Sequence, residues 1–432
     1  MSIRKMAIAS VSVAAVILTG CAGTGTSAPS SSSKDSGKVT LDFWSNHPAG
    51  SKALEQELIK RFEAANPDIH VKLTDAGKDY EEVAQKFNAS LTGSNVPDVV
   101  VASDVTWFNF ALNKQITPLD DLLAKTKDAN TDDYVKSLYD EYTLRENHYA
   151  VPYSRSTPLF YFNKDLWSKA GLPDRGPKTW DEWENDFAPK LKAANADVTP
   201  LAIPDGSNYM DWYFQGMIWS MGGAYSKDWK MTMSEPASIK AGEFLKKQFT
   251  DGNFKAFKDA TAPFTAGKSA AMLESTGSIG GVEKDGKITF GTAFLPTPDG
   301  TIGCPTGGAG LAIPEKSKNK EAAAKFITFM TNPENTVYFS QNTGYMPVRT
   351  SAVELPDEKK YLDEHPNFLT AVNQLEHTQK QDAGRVFVQG GGQRIGAALD
   401  KIAGGADVAQ SFKAIDTEEQ KIIDRDITPK LK

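Results

Sequence analysis

Between residues 39 and 101 the chain alternates between two hydrophobic periods, and this alternation constrains the fold more than any other feature. Val39, Leu41 and Phe43 alternate with polar neighbours, which predicts a strand ending near Trp44-Ser45. Ser51 stands where it can cap a helix whose Leu54, Leu58 and Phe62 fall on one face, with Asn66-Pro67 as its stop. Residues 71–73 give a second strand, and Tyr80, Val83, Ala84, Phe87 and Leu91 mark a second helix closed at Gly93. Val99-Val100-Val101 is a short continuous apolar run, the pattern of a strand covered on both faces. Strands that alternate with helices in this way build a parallel, doubly wound sheet. Ligands of such sheets sit beyond the carboxyl ends of the strands, which places Trp44, Ser45 and Asp104 at one mouth.

A second α/β unit begins near Pro152. Leu159-Phe160-Tyr161-Phe162 reads as a strand, and Thr179-Trp180-Asp181-Glu182 is a capping box that opens a helix. Aromatic residues gather at Tyr209, Trp212, Tyr213, Phe214 and Trp219. Residues 292–300 carry strand character into a Pro/Gly turn, a crossover between units. Residues 321–329 predict a helix that packs through Ala322, Ala323, Phe326 and Phe329, and the tail from residue 393 is mostly helical, with Ile395, Leu399 and Ile402 on one face.

The amino terminus addresses the compartment. Arg4 and Lys5 precede an apolar run over residues 6–18 and then Leu18-Thr19-Gly20-Cys21, a secretory signal too short to span a bilayer. The Leu-Thr-Gly-Cys ending resembles the bacterial lipobox, which implies that residues 1–20 are removed and Cys21 is diacylated, anchoring an exported protein to the outer face of the cell membrane. Residues 21–38 are Gly, Thr, Ser, Ala and Pro with few charges, a composition that reads as a flexible tether. The net charge of −7, with both signs mixed along the chain, offers no basic footprint for nucleic acid. Cys304 is the one cysteine besides Cys21, so neither an internal disulfide framework nor a cysteine-based zinc site is expected.

The run Thr157-Pro158-Leu159-Phe160-Tyr161-Phe162-Asn163-Lys164-Asp165, followed by Ala170-Gly171-Leu172 and Pro177-Lys178-Thr179-Trp180, resembles the hallmark of the family 1 extracellular solute-binding proteins of ABC importers. Ser154-Arg155-Ser156-Thr157-Pro158, Ser275-Thr276-Gly277-Ser278, Gly307-Gly308-Ala309 and Thr343-Gly344-Tyr345-Met346-Pro347-Val348 are similar to its glycerol-3-phosphate- and glycerophosphocholine-binding members. The resemblance implies a two-lobed α/β fold of the periplasmic-binding-protein type (type II) with the ligand in the cleft between lobes. One lobe is expected from 39–152 with 308–350, the other from 153–307 with 351–432. It further implies a monomer that passes its ligand to the membrane subunits of an ABC permease, touches the membrane only through its lipid, needs no cofactor or metal and is not an enzyme. Position by position, Tyr80, Asp104, Ser156, Ser275, Gly308, Tyr345 and Arg394 match the family's ligand-holding positions, and Trp212 matches a Trp that packs on the glycerol part. The chain departs from the pattern in Asp104 for Glu, in Arg155 beside the matched Ser, and in Gln389-Gly390-Gly391-Gly392 before Arg394, where Arg385 is the alternative.

The residue types suit a phosphate ester. A guanidinium makes charge-assisted, bidentate bonds to phosphate oxygens, and Tyr80, Ser156, Ser275, Tyr345 and the Gly308 amide are neutral donors. Each also has a structural alternative. Asp104 can cap a helix, Tyr345 can serve a turn, Ser275 can yield to Ser278, Trp212 can be core, Gly307-Gly308 can serve tight packing, and Arg394 can lie on a helix surface. A sugar or oligosaccharide is the alternative ligand, stacking on Trp44, Trp107, Trp212 or Trp219. Hydrolase chemistry finds no support: the five histidines are scattered with no His-Glu-x-x-His run, and Gly277-Ser278-Ile279-Gly280 lacks the spacing of a nucleophile elbow.

Overall fold

The computed structural model describes residues 38–93, 95–297 and 304–431. The basic start, Cys21 and the tether up to Gly37 lie outside the described residues, as does the turn expected at Pro298-Asp299-Gly300. In chain order, β1 (Val39–Ser45), α1 (Lys52–Ala65), β2 (Ile69–Asp75), α2 (Tyr80–Ser90) and β3 (Val99–Ser103) follow the alternation. β1 pairs in parallel with both β2 and β3, and every residue of β3 is buried. α1 packs through Leu58, Ile59 and Phe62, and burial of each such side chain stabilises the fold by about 1.5–3 kcal/mol. Ser51 precedes α1 but does not cap it; its φ/ψ of −71°/8° is not extended, and its buried hydroxyl has no partner.

The chain continues through α3 (Trp107–Leu112), β4 (Val151–Ser156), β5 (Pro158–Asn163), β6 (Thr199–Pro204), α4 (Met210–Ser220), β7 (Phe254–Phe257), β8 (Ser269–Ser275), β9 (Phe290–Ala293) and β10 (Gly307–Ala312). Two five-stranded sheets result, ordered β2-β1-β3-β10-β4 and β7-β6-β8-β5-β9. Each has a parallel core with antiparallel additions: β10 runs against β3 and β4, and β5 against β8 and β9. The expected two-lobed α/β fold is therefore present, one sheet at the centre of each lobe. Thr157 alone separates β4 from β5, so the chain passes from one sheet to the other in a single residue.

A second crossing lies at residues 304–307, where Cys304-Pro305 pairs in parallel with Thr378-Gln379. Gln374 ties the crossings together, its Nε2 donating to Thr157 Oγ1 (3.0 Å) and to Pro158 O (2.6 Å). The helix expected at 321–329 spans Lys320–Met330, and its Phe326 meets Phe62 edge-on at 5.1 Å. In the tail, α5 (Gly391–Ala403) buries Ile395, Leu399 and Ile402, and α6 (Val408–Ile422) follows it.

Candidate functional site

The strand ends of the first sheet, the second crossing and α4 converge on one region. β10 begins at Gly307-Gly308, and both positions require the missing side chain. A Cβ on Gly307 would lie 2.5 Å from the Trp212 ring, and one on Gly308, whose φ is +100°, would lie 2.0 Å from Ser154 O. Trp212 thus packs closely on the crossing strand, held by its Nε1 donating to Thr306 O at 2.9 Å. Ser156 is buried opposite Gly307 in the β4–β10 register. Asp104 follows β3, and its backbone N–H donates to Gly308 O at 2.9 Å. Its carboxylate does not cap α3. Oδ1 accepts from Val105 N (3.0 Å), Oδ2 from Gln381 Nε2 (2.5 Å), and Arg385 Nη1 lies 3.7 Å from Oδ2.

The tyrosines form the other wall. Tyr80 opens α2 and faces Tyr345 and Ser154, and burial pushes its hydroxyl up to about 12. Tyr345 stacks on Phe339 at 6.0 Å, and burial, with Tyr80 alongside, raises its hydroxyl well above the ordinary value. Both therefore stay protonated near neutral pH and remain donors. Ser275 ends β8, where its hydroxyl accepts from Gly277 N at 3.1 Å; Gly277 in turn lies against the Tyr345 ring. Ser278 precedes a helix over Ile279–Asp285 without capping it.

Two arginines are candidates for the expected guanidinium. Arg394 sits on α5 turned towards α6. Its Nε donates to Glu419 Oε1 at 2.6 Å, and its Nη2 to Glu419 Oε2 at 3.1 Å and to Gln389 O at 2.7 Å. Glu419 is fully buried and takes its counter-charge from this arginine. Arg385, the alternative, stands beside Asp104; it is 2% exposed, and its Nε donates to Asp211 Oδ2 at 2.6 Å while Nη1 meets Gln381. Tyr80, Asp104, Ser156, Trp212, Ser275, Gly308 and Tyr345 are thus joined through these contacts to a region that holds Arg385, which is paired with Asp211 as Arg394 is with Glu419. An adjoining cavity of about 640 Å³ opens between α2 and the tail, lined among others by Glu81, Asn88, Tyr209, Asp211, Arg385 and Arg394.

Sequence reading missed the partners that hold this region. Gln381 reaches Asp104 across 277 residues and Arg385 reaches Asp211 across 174, separations that leave no local pattern. Arg155, a departure from the family pattern, has partners that are equally silent in the sequence. Fully buried, Arg155 donates to Glu141 through Nη2 and to Tyr142 Oη through Nη1 (2.7 Å), and Glu141 also accepts from Thr306 Oγ1 at 2.6 Å. Burial opposes the charge on Arg155, and Glu141 outweighs it. Among the described residues no group of three or more His, Cys, Asp or Glu side chains is arranged to hold a metal, and no helix is long and apolar enough to cross a membrane.

Two α/β lobes linked by short crossings, with a polar, aromatic-walled region at the strand ends, define a two-lobed ligand-binding protein. The chain belongs to the bacterial extracellular solute-binding proteins, whose family model matches residues 57–369. The sn-glycerol-3-phosphate-binding periplasmic protein UgpB of Salmonella typhimurium is 28% identical over 356 residues, 78% of this chain and 80% of that protein. The crystal structure of UgpB from Mycobacterium tuberculosis in complex with glycerophosphocholine superposes with a TM-score of 0.86 at 47% identity, covering 91% of this chain and 100% of that one. The GacH receptor of Streptomyces glaucescens, at 21% identity and a TM-score of 0.76 over 90% of this chain and 99% of that one, shares the fold. The chain is a binding protein and not an enzyme, as the solute-binding family is.

Proposed function

We propose that this chain is the substrate-binding subunit of an ABC importer, and that it holds glycerol-3-phosphate or a glycerophosphodiester between its lobes. The observation that carries the reading is the guanidinium of Arg385 beside Asp104 in a region walled by protonated tyrosines. Arg385, with the Tyr80, Tyr345, Ser156 and Ser275 hydroxyls and the Gly308 amide, supplies a charge and neutral donors for the phosphate. Asp104 accepts from glycerol hydroxyls, and the Trp212 face packs on the carbon chain. The binding of glycerophosphocholine by the mycobacterial relative and of sn-glycerol-3-phosphate by the Salmonella one supports the same ligand class. Ligand contacts with both lobes favour the closed form, and the closed form is what the permease receives. Diacylation at Cys21 and a tether over residues 21–38 keep the exported monomer at the outer face of the cell membrane.

Titration calorimetry with glycerol-3-phosphate, glycerophosphocholine and maltose tests the ligand. Heat with either phosphate ester and none with maltose is expected. Heat with maltose alone assigns the cleft to sugars and overturns the reading.

A further inference from the structure

Asp104 at the end of β3 and Arg385 in the tail carry opposite charges, yet Nη1 and Oδ2 stay 3.7 Å apart. The Gln381 side chain joins both. Its Nε2 donates to Asp104 Oδ2 at 2.5 Å, its Oε1 accepts from Arg385 Nη1, and the residue is 6% exposed. Each charged group is also held from its other side, Asp104 Oδ1 by Val105 N at 3.0 Å and Arg385 Nε by Asp211 Oδ2 at 2.6 Å. Asp382, next in the chain, fixes the direction from which Gln381 approaches, its carboxylate accepting from Tyr225 N at 2.7 Å.

A carboxamide meets both demands without charge: its amide N–H donates and its carbonyl accepts. A carboxylate in its place would set two anions in contact, and an ammonium would face the guanidinium. An apolar side chain would leave Asp104 and Arg385 to close on each other as a direct ion pair, which a ligand would then have to break. We propose that Gln381 is a positioning residue, a neutral spacer that keeps Asp104 and Arg385 apart and aimed, so that one accepts from the hydroxyls and the other donates to the phosphate of the same solute. The inference rests on the reading that these two groups hold the ligand.

Gln381→Glu keeps the shape of the side chain and changes its donor. At about pH 7.5 the new carboxylate faces Asp104, and glycerophosphocholine is expected to bind the full chain about tenfold more weakly than wild type, from the range of hydrogen bonds to charged groups. At about pH 5 the two carboxylates share a proton, the donor returns, and affinity should recover towards wild type. The charged groups around the site are Asp104, Asp211 from α4, and Arg385 and Asp382 from its own segment, with Glu81, Glu141 and Arg155 within electrostatic reach of Asp104. Asp382 titrates in the same window in every variant, so each affinity is compared with wild type at the same pH. Asp104→Asn in the Gln381→Glu background removes the opposing charge, and the pH-dependent part of the loss should vanish. Wild-type affinity in Gln381→Glu at both pH values, or a loss that does not change with pH, overturns the spacer. Thermal unfolding without ligand separates this from the ligand assignment. Gln381→Glu should gain stability relative to wild type on acidification over that range, and the double variant should not; absence of that gain also overturns the spacer. If the gain appears while glycerophosphocholine does not bind the wild type, the spacing contact stands and the ligand assignment falls.

Discussion

At the hinge end of the cleft, Arg155, Glu141 and Thr306 are each no more than 4% exposed and bonded in a connected set, with buried Gln374 bonded to Thr157 and Pro158 beside it, whereas at the mouth Tyr209 is 38% exposed and meets Glu81 through one hydrogen bond. Both ends link the same two lobes. The difference is solvent. A bond at the mouth exchanges with water when it breaks, so it costs little to open and suits a cycle of binding and release. At the hinge a broken bond strands a charge with no water to receive it, so the set holds the crossings in one register. Damage at the hinge should therefore lower stability, and damage at the mouth should lower it far less.

The largest effect should follow from breaking the buried pair. Glu141→Ala leaves the Arg155 guanidinium without its carboxylate and is expected to cost about 3–5 kcal/mol in chemical denaturation. Glu141→Leu with Arg155→Met removes both charges at once and should recover most of that loss. A loss under about 1 kcal/mol in the single variant would show that the crossings are held by packing alone, and the contrast between the two ends would disappear.

Asp382 sharpens the comparison from between the two ends. It anchors the segment that carries Gln381 and Arg385, accepting from Tyr225 N at 2.7 Å and from Trp219 Nε1 at 3.2 Å. Burial pushes its carboxyl up to about 6, against the pull of those donors. An ordinary Asp in the unfolded chain titrates near about 3.9. Between about pH 4 and pH 6 the folded chain thus holds the proton more often, and stability falls as pH rises through that window. The full effect is about 3 kcal/mol. Asp382→Asn should flatten the wild-type slope between pH 4 and 6.5 in denaturation midpoints; equal slopes in the two proteins would place the titration elsewhere.

What could be read from the sequence followed local chemistry. The strand–helix alternation over residues 39–101 was legible because each element carries its own period, and the glycines at 307 and 308 were legible because close approach leaves no other residue type. Arg394 and Arg385 could not be separated in that way. Both lie near the Gly390–Gly392 run, and their distinction depends on Glu419 and Asp211, carboxylates on other helices. The Tyr209–Glu81 bond was equally silent, since its partners are 128 residues apart and no local pattern links them.

The two arginines give the finest test. Arg385→Ala should weaken a phosphorylated ligand by about 1.5–3 kcal/mol, the range for hydrogen bonds to charged groups. The variant also unpairs buried Asp211, so its denaturation midpoint should fall as well, and the affinity is read at a temperature where the variant remains folded. Arg394→Ala removes the partner of Glu419 and belongs with the structural ion pairs; its affinity should change less than about threefold while its denaturation midpoint falls. Calorimetric titration of both variants at one pH separates the roles. A tenfold loss in Arg394→Ala with Arg385→Ala unaffected would exchange them, and would mean that the lobes rearrange around the Gly390–Gly392 run when the ligand arrives.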